Sequence, residues 1–408
     1  MGPYREGEEY STAAIEEDEP EKELWEACTA GDAQTVEWLL LHYPGINVNY
    51  QDGDYRRTPL YRACGHGRTG EEEKGEEEEE DVKTFGGDDK RRKGNEKPNK
   101  QTKTNKQTNK QTNKQTQLLN FSTSQLLNFV FSFLFVLDVV RILLRRSEVN
   151  INLQQKENAT PLYIACQEGH LDIVEVLLAD PRVDVNRPRT GGFTPFHVAC
   201  EWNRVDIVRA MIREAPRVDI YQPNDEFTSP LLAACAKGNA EIVKILLLVL
   251  TTEASVNVQR RDRATPFLMA VQNGHQETVE VLLQDQRVHI DQAKTDGITP
   301  LWVACNNGSL GIVKRILACA REDLDLEAKW KVSQLTALQQ SVSRRQNPIA
   351  EVLVRYIADR DGARMELRRE LGLLGKQTPT LDSPALNLTA TSPLFLFFKP
   401  RPRLTFLH

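Results

Sequence analysis

The chain has 408 residues, of which 40% are hydrophobic and 27% charged, an ordinary balance for a globular protein with several domains or one long repeat array. Its 52 basic and 58 acidic residues give a net charge of −6, which excludes a polycation built to hold nucleic acid. Seven Cys, an odd number, exclude a fully paired disulfide framework. The first 23 residues hold nine acids and lack the apolar segment of a signal peptide, so we expect an acidic, disordered N-terminus over residues 1–21.

One short motif then recurs along the chain. It reads Thr-Pro-Leu-Tyr-Ile-Ala-Cys from Thr160 to Cys166, and later copies follow at spacings of 34–37 residues. The later copies begin at Thr194, Ser229, Thr265 and Thr299, and a degenerate copy begins at Thr336. An earlier copy begins at Thr58.

Each copy predicts a pair of short helices. A Thr or Ser before Pro caps a helix N-terminus, because its hydroxyl accepts a backbone N–H and Pro at the first helical position loses no hydrogen bond. Gly then ends the first helix, as in Gly169-His170, and a second helix with a wide apolar stripe follows from Leu171 to Leu178. An extended stretch and a polar turn lead to the next copy. One such unit cannot bury its own apolar face, so neighbouring units must stack.

The unit resembles the ankyrin repeat, whose T-P-L-H-x-A motif recurs about every 33 residues. The resemblance covers residues 22–69 and 138–374, about eight units, and implies an all-α repeat solenoid of helix-turn-helix units with β-hairpin-like turns. The unit from Leu24 to Asn49 resembles an N-terminal cap, which Trp25 and Trp38 are expected to pack. The unit from Thr336 to Ile357 resembles a C-terminal cap together with the charged helix that follows it. Residues 375–408 are expected to form a disordered tail.

A low-complexity insertion, predicted to be disordered, interrupts the second unit at residues 70–137. Removing these residues joins Thr69 to Asp138 and restores a unit of 34 residues between Thr58 and Thr160. We hypothesise that the segment is a translated intron, because a tandem AACA repeat encodes its Asn-Lys-Gln-Thr tetrads and its Phe/Ser/Leu run resembles a splice-acceptor tract. Sequencing transcripts across this junction tests the hypothesis, and finding only the long form would contradict it. Its run of basic residues from Lys90 to Lys93 is read as a solvated charge run, with a nuclear localisation signal as the alternative.

No motif for catalysis, a cofactor or a metal ion occurs, so the sequence predicts a protein that is not an enzyme and has no cofactor. Six Cys share one repeat position and are interpreted as small packing residues rather than zinc ligands. His197 fills the His position of the motif and is interpreted as structural, and Trp302, Tyr163 and Tyr61, which share this position, are interpreted as core residues.

The resemblance places partner contacts on the concave surface made by the loops and the exposed ends of the first helices. Exposed Trp, Tyr and Arg dominate interface energetics, so Trp202, in a position that the family keeps polar and variable, is the strongest candidate. Packing against the next repeat is its alternative interpretation, and local packing is the alternative for Trp330. The predicted contact residues are Trp202, Phe193, Trp330, Glu201, Gln167, Glu168, Arg189, Lys237, Gln272, Asn273, Asn306 and Asn307.

Two functions remain open from the sequence. The first is a protein-protein interaction scaffold that binds a partner protein or peptide on the concave face. The alternative is a substrate-recognition adaptor for an enzyme such as a ubiquitin ligase, which would need a second docking module that no remaining segment resembles. We expect a cytoplasmic monomer, with a nuclear location as the alternative, that contacts neither nucleic acid nor membrane.

Overall fold

The computed structural model describes residues 20–53, 55–65, 136–214, 217–320 and 324–374, and the sequence-based predictions for residues 1–19, 66–135 and 375–408 lie outside them. The described residues form eight helix pairs, one short helix (Glu253–Val256) between the fifth and sixth pairs, and one closing helix. In chain order the helices are α1 (Pro20–Ala30), α2 (Ala33–His42), α3 (Pro59–Gly65), α4 (136–144), α5 (Pro161–Glu168), α6 (Leu171–Ala179), α7 (Pro195–Glu201), α8 (Val205–Arg213), α9 (Pro230–Lys237), α10 (Ala240–Val249), α11 (Glu253–Val256), α12 (Pro266–Gln272), α13 (Gln276–Gln284), α14 (Pro300–Asn307), α15 (Leu310–Cys319), α16 (Ala337–Ser343), α17 (Asn347–Ala358) and α18 (Arg360–Glu370).

The predicted helix starts are confirmed by their caps. The hydroxyl of Thr160 accepts the backbone N–H of Tyr163 at 3.2 Å, and Thr194 and Ser229 make the equivalent bonds. Pro occupies the first turn after each of these caps. A Gly ends the helix where the chain turns: Gly238 has φ +82°, and a Cβ placed there would lie 2.5 Å from the ring of His275. Local chemistry therefore sets the bounds of the repeat helices.

The helices pack in two layers. First helices contact the first helices of neighbouring units, and second helices contact second helices, so that one continuous apolar core runs along the stack. The shared Cys position lies inside this core: Cys28, Cys64, Cys166, Cys200, Cys235 and Cys305 are all fully buried. The packing interpretation of these thiols is therefore confirmed. The described loops contain no β-strand, and single bonds such as Arg189 N–H to Phe193 O at 2.9 Å close their hairpin-like turns.

Side chains also link each unit to the next. The amide nitrogen of an Asn after the second helix donates to a carbonyl one unit further on: Asn152 to Arg182 at 2.8 Å, Asn186 to Arg217 at 2.7 Å and Asn257 to Arg287 at 2.7 Å. The Arg residues reach back to carbonyls of the preceding second helix, as from Arg217 Nη1 to Leu178 O at 2.9 Å. Because these bonds repeat, they record the register of the stack.

The same bonds cross the insertion. Asn49 donates to the carbonyl of Glu148, 99 residues away along the chain. The equivalent pairs in other units are 30 or 31 residues apart, so this pair is separated by 68–69 additional residues. Arg146 donates to the carbonyl of Leu40, 106 residues away. The equivalent pairs in other units are 38–40 residues apart, so this pair is separated by 66–68 additional residues. Val136, which the sequence boundary assigns to the insertion, is buried at the start of α4. The register of unit two therefore resumes in α4.

Deleting residues 68–135 should leave a folded stack and raise its free energy of unfolding by about 2–3 kcal/mol. The reason is that closing a short turn on folding costs less conformational entropy than closing a loop of this length. The deletion keeps α4 intact and sets the spacing between the Thr-Pro motifs at the ordinary 34 residues. Urea unfolding of both chains measures the change. As a control, deleting only residues 75–108 should change stability by less than about 1 kcal/mol. A full deletion that unfolds the chain would contradict the assignment of α3 and α4 to one unit.

Both ends of the stack differ from expectation. α18 packs against α15 and α17, with Lys314 paired to Glu370, so it covers the second-helix layer of the last two units and leaves the outer end of the last unit open. At the first unit, Trp25 donates its indole N–H to the carbonyl of Arg57 at 3.1 Å, as expected of a packing residue. Trp38, by contrast, is 48% exposed; its ring stacks on His42 and meets Tyr43 edge-on, so the expectation that it packs inside the cap was wrong.

Candidate functional site

The exposed side of the first helices and the loops before them form one continuous face, which we call the loop face. Neighbouring loops are joined through their backbones: Thr190 N–H donates to Glu157 O at 2.9 Å and Thr295 N–H to Asp262 O at 3.0 Å. Because the loops are tied to one another, their exposed side chains are held at fixed spacings of one unit.

Trp202 is the most prominent aromatic residue at the helix ends of this face. Its side chain is 55% exposed at the C-cap of α7, where its backbone N–H still donates to Val198 O. The turn that follows has Asn203 and Arg204 in place of the usual Gly and His. Asn203 takes the left-handed backbone with φ +57°, which Asn tolerates better than most residues, and Arg204 Nε donates to Gln167 O at 2.8 Å. The unusual turn therefore keeps the ordinary geometry and leaves the indole exposed.

The residue after the turn has a structural function in several units. Asn239 donates to the carbonyls of Cys200 and Glu201 at 2.8 and 2.9 Å, and His275 Nε2 bonds Ala236 O at 2.8 Å. These side chains satisfy the last carbonyls of the preceding first helix, which otherwise have no partner. The sequence signal for this hydrogen-bonding role was that a polar residue recurs at one repeat position, although its type differs from unit to unit.

Several predicted contact residues also hold the stack together. Asn273 donates to Ala236 O at 2.6 Å, Asn307 to Gln272 O at 2.9 Å, and Asn306 accepts from Gln340 at 2.8 Å. Glu201 is partly buried and pairs with Lys237 at 3.5 Å. The structure places Trp202, Lys237, Gln272, Asn273 and Asn307 as exposed side chains, and Gln167, Glu168, Glu201 and Asn306 as half-buried ones.

The predicted loop aromatic residues are half-buried. Phe193 packs edge-to-face on His197 with ring centroids 5.1 Å apart, and Trp330 lies 5.0 Å from the ring of Trp302. Arg189, also half-buried, pairs with Glu157 and lies over the ring of Tyr163. These three predicted contacts therefore take part in loop packing, and only part of each side chain reaches the surface.

Two other loop rings are more exposed. Tyr55 is 52% exposed with the guanidinium of Arg57 4.2 Å from its ring centre, and Phe227 is 51% exposed with that of Arg261 at 5.2 Å. Arg261 also donates to Asp225 O at 2.9 Å, which fixes it beside the ring. Phe227 holds a left-handed backbone with φ +62°. Together with Trp202, these rings are exposed aromatic side chains of the loop face, and Tyr55 and Phe227 each have a cation beside them.

The described residues offer little for chemistry. Burial raises the pKa of the thiols of Cys166 and Cys235 far above the ordinary value, and a protonated thiol is a poor nucleophile. No cluster of three or more His, Cys, Asp or Glu side chains suited to a metal ion occurs in the described ranges. No helix in the same part of the chain is long and apolar enough to cross a membrane.

Comparison with known proteins agrees with the repeat geometry. A family model described as three copies of ankyrin repeats matches residues 133–224 and 216–293, and a single-repeat model matches residues 296–329. Among solved structures, the ankyrin repeat protein EF0377 is 28% identical, with a TM-score of 0.43 over 47% of this chain and 96% of that one. The ankyrin repeat domain of Bcl-3, a member of the IkappaB family, is 21% identical, with a TM-score of 0.46 over 53% and 93%. From its repeat motif, its helix pairs and the family models, the chain is an ankyrin repeat protein.

Proposed function

We propose that the protein is a non-catalytic scaffold that binds a partner protein or peptide on the concave loop face. Ankyrin repeats in general serve as protein-protein interaction modules. The observation that carries the proposal is Trp202, a large ring 55% exposed in the middle of the stack on a turn held by the bonds from Trp202 N–H to Val198 O and from Arg204 N–H to Ala199 O. Exposed Trp, Tyr and Arg supply much of the energy of protein interfaces, and a rigid support lowers the entropy lost on binding.

The surroundings of Trp202 support a protein ligand rather than a small molecule. The loop face is open, and its aromatic rings lie on separate units, at Tyr55, Trp202 and Phe227. Glu201 and Lys237, paired beside the indole, provide polar groups of both signs at its rim. An extended surface with spaced anchors suits a peptide or a protein edge, since a small ligand is normally enclosed by a concave pocket.

Truncating Trp202 tests the proposal. Bait proteins carrying Trp202→Ala and Phe227→Ala, singly and together, are compared with the unaltered chain by quantitative mass spectrometry of co-purified proteins. We expect a partner whose binding weakens by about 2 kcal/mol, or roughly thirtyfold, for Trp202→Ala. Met365→Ala is the matched control, because Met365 has nearly the same exposure, 52%, and lies on α18, off the loop face.

Equal recovery of every partner with Trp202→Ala and Met365→Ala would contradict binding at this face. The identity of a partner lost only with Trp202→Ala separates the two functions: enzyme subunits would favour the adaptor, and other proteins the free scaffold.

A further inference from the structure

We propose that copies of this protein associate head to tail, the first unit of one copy stacking on the last unit of another. The occupant of each open end is therefore a second copy of this chain. This inference is independent of the loop face and departs from the expected monomer. It rests on two surfaces, the N-flank (Glu23, Glu26, Trp38 and Leu41) and the C-flank (Val342, Arg344, Arg345, Glu351 and Val354).

The N-flank residues on α2 occupy positions that reach the preceding unit elsewhere in the stack. Trp38 is equivalent in the repeat to Arg315, whose guanidinium lies 2.6 Å from Glu280 of the unit before. Leu41 is equivalent to Arg213, which pairs with Glu175 of the unit before at 3.1 Å. Among the described residues no unit precedes the first, and these two side chains are 48% and 69% exposed.

The C-flank presents the matching positions. Glu351 is equivalent to Glu175 and Glu280, the residues that receive those contacts. Val354, 54% exposed, is equivalent to Leu178, which is 3% exposed under the next unit. Val342, 59% exposed, fills the shared Cys position, where Cys166 is fully buried. A shallow groove on this surface is lined by Asn347, Ala350, Glu351, Val354 and Arg355.

In this contact the first helix of one copy, which carries acidic residues, would lie against the basic end of the last first helix of the other copy. Glu26 occupies the same repeat position as Arg62, whose Nε lies 3.3 Å from the hydroxyl of Thr29 in the preceding unit. The equivalent of Thr29 on the last unit is Ser343, beside the exposed Arg344 and Arg345. Glu23 and Glu26, both exposed on α1, would therefore approach two guanidinium groups.

These observations select a second copy as the occupant. Trp38, Val342 and Val354 are exposed although their equivalents inside the stack are buried or half-buried. The first-helix charges of the two surfaces are opposite, and one contact between copies would cover both. The two flanks are different surfaces, so the contact is heterologous and can continue from copy to copy into an open chain. A single repeat face is small, so we expect a dissociation constant of roughly 10 µM to 1 mM.

Mixing two blocked chains tests the proposal. Sedimentation velocity of the full chain over about 10 to 500 µM should show mass increasing with concentration. Trp38→Glu, which blocks the N-flank, and Val354→Glu, which blocks the C-flank, should each abolish the increase. An equimolar mixture of the two variants should form a dimer and nothing larger, because each variant keeps one intact flank. Tyr221→Glu, an exposed site between units four and five, should behave like the unaltered chain.

Circular dichroism checks that each variant is folded, which its exposed position favours. A full chain that stays monomeric over the whole range would overturn the proposal, as would a mixture that sediments as monomers. A chain that associates only after residues 375–408 are deleted would also overturn it, since the tail rather than a second copy would then cover the C-flank.

Discussion

Replacing Phe196 with Ala should lower the free energy of unfolding by about 3–5 kcal/mol, the usual cost of emptying a fully buried Phe site. Phe196 is 0% exposed in α7, within the fourth of eight units. Its position is filled by Leu162, Leu231, Phe267 and Leu301 in other units, all of them buried. The cavity would therefore lie in the middle of the continuous core, where the units on either side depend on it.

Urea unfolding measures the loss, and Phe227→Ala is the matched control. Phe227 is 51% exposed at a loop, so its truncation should change stability by less than about 0.5 kcal/mol. Because each unit contacts only its neighbours, we also expect the Phe196→Ala transition to broaden as the two halves of the stack unfold less cooperatively. Equal effects of the two truncations would contradict the described core.

Acidification should destabilise the protein through His197. Its imidazole is 1% exposed. Burial lowers its pKa to about 4, and the bond between Nε2 and Thr228 O acts in the opposite direction as the smaller effect. The nearest carboxylate oxygen, on Glu201, lies 4.0 Å from Nδ1, and the edge of the Phe193 ring packs on the imidazole. The unfolded chain binds the proton near pH 6.5 and the folded one near 4, so stability is lost as pH falls between these values.

The full effect of this one group is about 3 kcal/mol between pH 7 and pH 4. His197→Leu isolates it, because Leu232 and Leu268 fill the same position in two other units, where both are buried. Several Asp carboxylates also lose stabilising bonds in acid, and they do so equally in both proteins. Urea unfolding over this pH range should therefore show a steeper decline for the unaltered chain. Parallel declines would contradict a buried neutral imidazole.

The features that depend on local chemistry, such as helix starts and helix ends, could be predicted from the sequence. A Thr or Ser before Pro sets the start of the first helix in units two to seven, and a Gly with positive φ sets the end of several first helices. The units and their register therefore follow from short-range signals. The interpretation of Trp302, Tyr163 and His197 as core residues is confirmed by their burial. The sequence also suggested an interruption in unit two, and the described register agrees with it.

The sequence could not reveal which way a polar side chain reaches. Asn273 and Asn307 lie at positions where partner contacts are expected, yet each donates to a carbonyl of the preceding unit. The packing side of α18 was equally hidden, because its charged sequence fits either the end of the stack or its second-helix layer. Trp38 was misjudged because a large apolar side chain suggests burial, and burial depends on whether a neighbouring unit exists.

The shared Cys position equips most units with an internal reporter. Units one to five and unit seven each bury one thiol, whereas Val271 and Val342 take its place in units six and eight. A buried thiol reacts with an alkylating reagent only when its own unit opens. The order in which the six cysteines are alkylated under native conditions would therefore rank the opening of individual units, without any engineered probe.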